Sequence, residues 1–101
     1  MGGVPATNRL VEVLSGAALP IEQAWLFGSR ARGDALEDSD WDLLVVSGAF
    51  RGVPYLKRLQ TLYRLPLRRA EYVALTPEEL EARRDEIGIV GEALREGIRL
   101  L

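Results

Sequence analysis

Ala24-Trp25-Leu26-Phe27-Gly28-Ser29-Arg30-Ala31-Arg32-Gly33, followed after a short polar gap by Asp38-Ser39-Asp40-Trp41-Asp42-Leu43-Leu44-Val45-Val46, is the stretch that decides the fold of this chain. Residues 24–27 are a short apolar run closed by Gly28, which reads as a buried strand. Residues 29–39 are polar, with two arginines, three acids and Gly33, and read as a short helical turn followed by a loop. Trp41–Val46 is the strongest strand signal in the chain, ended by Ser47-Gly48. In a strand, residues i and i+2 point to the same face. Asp40 and Asp42 are therefore expected side by side at the start of a hydrophobic strand.

The rest of the chain extends this pattern. Residues 7–14 read as a first helix, with Val11 and Leu14 on one face and Thr7 or Asn8 as its cap. Residues 55–65 read as a helix with Leu56, Leu59, Leu62 and Tyr63 on one stripe, stopped by Pro66. Ala70–Leu75 reads as a third strand. Thr76-Pro77-Glu78-Glu79 carries three agreeing helix-start signals: a threonine cap, proline at the first position and a glutamate closing a capping box. A last helix is expected through Ile87, Val90 and Leu94, broken by Gly97, with residues 98–101 as a short edge strand open to pairing with another copy. Alternation of strands and helices predicts an α/β (α+β) domain: a small mixed β-sheet of three to four strands with helices packed on one face.

Composition narrows the chemistry. The 101 residues are 48 % apolar and 28 % charged, in the range of an ordinary globular domain and unlike a disordered tail. One domain over residues 1–101 is expected. There is no cysteine and no histidine. That excludes disulfides, thiolate metal sites, cysteine nucleophiles, Ser-His-Asp hydrolysis and imidazole bases. A metal would have to be a hard cation held by oxygen. Thirteen Lys+Arg against fifteen Asp+Glu give a net charge of −2, which argues against a polybasic nucleic-acid binder. Twelve of the thirteen cations are arginine, whose planar fork suits phosphate. No apolar run approaches the ~20 residues of a membrane span. Met1-Gly2-Gly3-Val4-Pro5 lacks the features of a signal peptide, so the cytoplasm is the expected compartment.

The candidate site follows from residue chemistry. Two carboxylates at Asp40 and Asp42 repel each other unless a cation lies between them. A divalent ion bound by one or two carboxylates plus substrate phosphates is the magnesium pattern. Gly28 lets the backbone approach a ligand closely. Ser29 offers a hydroxyl and a backbone N–H at a helix start, and Arg30 and Arg32 stand close enough to hold further phosphate oxygens. Glu71, opening the third strand, is the candidate third acid. Each feature alone has an ordinary explanation. An Asp-x-Asp is commonly two solvated acids, and Glu71 an edge-strand acid opposite Arg68 or Arg69. Trp25 and Trp41 are more often core residues than stacking platforms, and the helix around Arg58 and Arg64 is more often a solvated face. The combination in order is harder to dismiss.

Gly28-Ser29-Arg30-Ala31-Arg32-Gly33-Asp34 with Asp38-Ser39-Asp40-Trp41-Asp42-Leu43 resembles the signature of the minimal nucleotidyltransferases, single-domain members of the DNA polymerase β-like superfamily. The resemblance extends to the strand at 71–75, the Thr76-Pro77-Glu78-Glu79-Leu80 helix start and the closing Glu96-Gly97-Ile98. It implies the nucleotidyltransferase fold. It implies that Asp40, Asp42 and Glu71 are catalytic and hold one or two Mg²⁺ ions. It further implies that Gly28 and Ser29, with Arg30 and Arg32, hold the triphosphate of ATP. The implied activity is transfer of a nucleoside monophosphate, AMP from ATP foremost, to a hydroxyl acceptor. Larger relatives carry a helical substrate domain for which this length leaves no room. The implied partner is therefore a small all-helical HEPN-type protein in a toxin–antitoxin pair, with this chain as antitoxin. Two departures stand out: Glu71 where the family more often has Asp, and Trp41 where a smaller aliphatic is usual, expected to pack on the far sheet face. Glu71 favours a second reading, an interaction module of weak or no activity that neutralises its partner by binding. A nucleotidyltransferase of small molecules ranks last.

Overall fold

A computed structural model describes residues 5–35 and 39–101. Asp38 of the motif and the residues read for a signal peptide before Pro5 lie outside them. The described elements run α1 (Pro5–Ser15), β1 (Gln23–Phe27), α2 (Ser29–Arg32), β2 (Trp41–Val46), a 3-10 turn (Gly48–Phe50), α3 (Tyr55–Leu62), β3 (Ala70–Leu75), α4 (Pro77–Arg83), α5 (Ile89–Glu96) and β4 (Ile98–Arg99). The expected strands are all present, including the short closing one.

The sheet has the order β3-β2-β1-β4. β2 pairs antiparallel with β1 and parallel with β3, and β4 pairs antiparallel with the other side of β1. The continuous apolar run in β2 has a simple cause. Leu43, Leu44, Val45 and Val46 are all fully buried because the strand is central and covered on both faces. Alternation sends Leu43 and Val45 into one cluster with Leu10 and Leu14 of α1 and Leu62 of α3. It sends Leu44 and Val46 into a second cluster with Leu80 of α4 and Val90 and Ala93 of α5. The helices thus cover both faces of the sheet, not the single face expected. A central strand with apolar residues at every position needs a cover on each side.

Two expectations about helix faces change as well. On α3, Leu56 and Tyr63 of the expected stripe are 66 % and 51 % exposed. Leu62 is buried, and so is Arg58. The Arg58 guanidinium donates to the carbonyls of Val53 (2.9 Å) and Ala74 (3.1 Å) and to both carboxylate oxygens of Glu79 (2.6 and 3.2 Å). What read as a solvated arginine face is a clamp from α3 onto the end of β3 and the start of α4. Ile87, expected within the last helix, lies in the α4–α5 connection and is fully exposed, because α5 begins only at Ile89.

The start of α4 forms as its sequence predicts. The Thr76 hydroxyl accepts from the Glu79 N–H (3.1 Å), and the Glu79 carboxylate accepts from the Thr76 N–H (2.8 Å). Thr76→Ala is expected to cost about 1 kcal/mol. That amounts to a fall of roughly 4–8 °C in melting temperature for a domain of this size, read by thermal denaturation. At the other end of the helical pair, Gly97 passes so close to the carbonyls of Ala93 and Leu26 that a Cβ would not fit. That close passage lets the chain turn from α5 straight into β4.

Candidate active site

Strand register brings the acids together. Asp42 of β2 is paired with Phe27 on one side and with Glu71 on the other. Neighbouring strands stand about 4.8 Å apart, and residues in register share a face. Asp42 and Glu71 therefore leave the sheet side by side, on the face covered by α5. Asp40 lies just before β2 and is exposed. A cavity of about 430 Å³ lies here, lined by Gly28, Asp42, Glu71, Ile89 and Glu92 among others.

Gly28 connects β1 to α2 and is its N-cap, with φ 75° and ψ −158°. That conformation is open essentially to glycine alone. A Cβ there would also run into the Asp42 carboxylate. The missing side chain leaves the space into which Asp42 points. Gly28→Ala is expected to cost about 1–3 kcal/mol in backbone strain. It should also displace the Asp42 carboxylate while the fold, read by circular dichroism, persists, and thermal denaturation reads the loss of stability.

Electrostatics mark Asp42 as the crowded centre. Its pKa is raised above the ordinary aspartate value, first by burial and then by Asp40, Glu71 and Glu92, with Arg32 opposing. Four carboxylates thus act on one small volume. Glu92, on α5, did not emerge from the sequence, because no local pattern distinguishes it from a solvated helical glutamate. Only the packing of α5 beside the sheet end brings it to the cavity. Tyr63 is likewise brought to Glu71, though not to the cavity, by packing alone. Its hydroxyl lies near the Glu71 carboxylate, and burial followed by Glu71 raises its pKa.

The arginines divide. Arg32 pairs with Asp34 (3.2 Å) and Glu92 (3.4 Å), so its charge faces the acid cluster. Arg30 turns away. Its guanidinium donates to the Ser39 carbonyl (2.7 and 3.2 Å) and lies 4.2 Å from the centre of the Trp41 ring. Trp41 packs against the cluster on the face opposite Asp42, as expected for its position in β2. Gly28, Asp42 and Glu71 are thus gathered at the cavity with Asp40 nearby. Ser29 opens α2 beside them, and Arg30 braces the loop before β2.

The donors present suit a hard divalent cation. They are carboxylate oxygens next to a glycine whose absent Cβ leaves room, and burial followed by their mutual repulsion holds the pKa of Asp42 up. Among the described residues no three acids close a cage by themselves. A cation here would complete its shell with phosphate oxygens or water, which is the habit of Mg²⁺.

Fold and site together define a small α/β domain of the nucleotidyltransferase fold. The chain belongs to the nucleotidyltransferase domain family, whose profile matches residues 8–98. Among solved structures it is similar to a Sulfolobus solfataricus protein provisionally assigned as a nucleotidyltransferase. The TM-score is 0.60 at 26 % identity, over 93 % of this chain and 74 % of that one. It also resembles a chain in a toxin–antitoxin structure with AMP-PNP, at a TM-score of 0.54 and 19 % identity, over 94 % of this chain and 72 % of that one. At that identity the second likeness shows the fold alone. No curated protein sequence matches the chain. Among the described residues no helix is long and apolar enough to cross a membrane.

Proposed function

We propose that the chain transfers a nucleoside monophosphate, AMP from ATP foremost, to a hydroxyl acceptor with release of pyrophosphate. The observation that carries this reading is the register of Asp42 against Glu71, opposite the side-chain-free space at Gly28. Asp40, Asp42 and Glu71 would hold one or two Mg²⁺ ions, which supply charge neutralisation for the triphosphate oxygens. Gly28 and Ser29 would let the phosphate chain approach the backbone at the start of α2, and Arg32 pairs with Glu92 at the cavity wall. Glu71, exposed on the edge strand, takes the proton of the acceptor hydroxyl. The acceptor oxygen bonds to the α-phosphorus as the bond from that phosphorus to pyrophosphate breaks.

We further propose that the acceptor or its carrier is a separate small all-helical protein of the HEPN type, which this chain counteracts as an antitoxin. The likeness in fold to a chain of a toxin–antitoxin structure supports this. The test is label transfer from α-labelled ATP with Mg²⁺, with and without the candidate partner. Label on the partner that depends on Mg²⁺ carries the reading, and its absence defeats it.

One feature favours a second reading, a module that neutralises its partner by binding: the acid beside Asp42 is Glu71, where the family more often has Asp. If variants lacking both Asp40 and Asp42 still neutralise the partner fully, contact is sufficient and catalysis is dispensable.

A further inference from the structure

Both arginines beside the glycine turn are already occupied by the protein itself. Arg30 is held by the Ser39 carbonyl and lies over Trp41. Arg32 is shared between Asp34 and Glu92, at 3.2 and 3.4 Å. Toward an incoming nucleotide without a cation, the cavity therefore presents carboxylates at Asp42, Glu71 and Glu92, with Asp40 close by, and no arginine uncommitted among these two. Glu92 contributes twice to this balance. It adds a negative charge at the cavity wall, and it ties Arg32 across from α2 to α5.

We propose that Glu92 is a specificity-determining residue that makes nucleotide binding conditional on a divalent cation. This rests on the reading of the cavity as a nucleotide site. The Arg32–Glu92 pair is half-exposed, at 46 % and 36 % for the two side chains, and such pairs contribute only about 0.2–1 kcal/mol. It is therefore weak enough to open. A bare triphosphate meets the carboxylate of Glu92 and an arginine already paired. A triphosphate arriving with its cation has part of its charge offset, and the acids attract the cation itself, so Arg32 can pass to a phosphate oxygen. Glu92 acts through charge and through Arg32, and no proton transfer is assigned to it.

The experiment measures ATP affinity by calorimetric titration, with Mg²⁺ and with EDTA, for the wild type, Glu92→Gln, Glu92→Asp and Glu96→Gln. The last removes an exposed charge one turn further along α5. The wild type is expected to bind ATP with Mg²⁺ and far more weakly in EDTA. Glu92→Gln is expected to strengthen binding in EDTA by about fivefold or more, the effect of one unit charge near 4 Å in a watery setting. The gain with Mg²⁺ should be smaller, because the cation offsets the same charge, so the ratio of the two affinities falls. Glu92→Asp and Glu96→Gln should behave as the wild type. Adding Arg32→Gln to Glu92→Gln should remove the gain. An unchanged ratio in Glu92→Gln, an equal gain in Glu96→Gln, or a gain that survives without Arg32 overturns the proposal. A wild type that binds no ATP even with Mg²⁺ overturns the nucleotide reading itself, a different result from any of these.

Discussion

Asp42→Asn is expected to abolish nucleotidyl transfer and, in the absence of a cation, to stabilise the protein at neutral pH. The two effects have one cause. Asp42 sits between Phe27 and Glu71 in the register of the sheet and receives repulsion from Asp40, Glu71 and Glu92. Burial and these neighbours raise its pKa in the folded state, and Arg32 offsets only part of that. A carboxyl whose folded pKa lies above its unfolded value favours the fold when protonated. That contribution is complete below the unfolded pKa and is lost as pH rises through the folded pKa. At neutral pH the ionised carboxylate therefore works against the fold, and the neutral amide of asparagine does not. Thermal denaturation in EDTA should show Asp42→Asn melting above the wild type at pH 7, with the difference shrinking as pH is lowered through the carboxylate range. Transfer measured with Mg²⁺ should fall by about 10²–10³ or more, the scale on which loss of one transition-state charge partner is felt. Retained transfer would remove Asp42 from the chemistry. A melting temperature at or below the wild type's would mean that the carboxylate is already neutralised in the folded chain.

Arg58→Ala is expected to have the largest effect on stability. The buried guanidinium serves four acceptor atoms on three segments: the carbonyls of Val53 and Ala74 and the two carboxylate oxygens of Glu79. Glu79 is also the closing residue of the capping box, and its pKa is lowered first by Arg58 and then by the Thr76 N–H. Removing the guanidinium leaves the Ala74 carbonyl without this donor in the interior and frees a carboxylate that caps α4. A loss of about 2–4 kcal/mol is expected, the range for a buried polar group deprived of its partners. That corresponds to a melting temperature lower by roughly 10–25 °C for a domain near this size. Arg58→Lys should rescue only part of the loss, because an ammonium cannot serve two carbonyls and a bidentate carboxylate at once. Denaturant titration of the three proteins distinguishes these outcomes. An alanine variant as stable as the wild type would mean that water replaces all four contacts.

The two predictions also separate what was readable along the chain from what was not. β2 and β3 are legible because their apolar runs and flanking breaks are local, and the observed bounds, Trp41–Val46 and Ala70–Leu75, coincide with the expected ones. The capping box at Thr76 is legible because all its partners lie within four residues. Gly28 is legible as a place of close approach, since it ends one strand and precedes a polar turn. The role of Arg58 is not legible. An arginine on an otherwise amphipathic helix has the same local pattern whether it meets water or a carbonyl from a distant strand. The stripe expected on α3 failed for that reason, with Leu56 exposed and Arg58 inside.

The amino-acid sequence by itself determined the strands, the glycine turn, the pair of aspartates and the absence of any histidine or cysteine chemistry, because these depend on residue identity and short-range periodicity. The tertiary structure alone decided that β2 lies between β1 and β3, parallel to the latter, and that helices cover both of its faces. It alone set Glu71 beside Asp42, brought Glu92 to the same cavity and joined Arg32 to Glu92. Strand order, register and the docking of α5 arise from burying two apolar faces at once. That is a balance struck over the whole chain, and no window of neighbouring residues contains it.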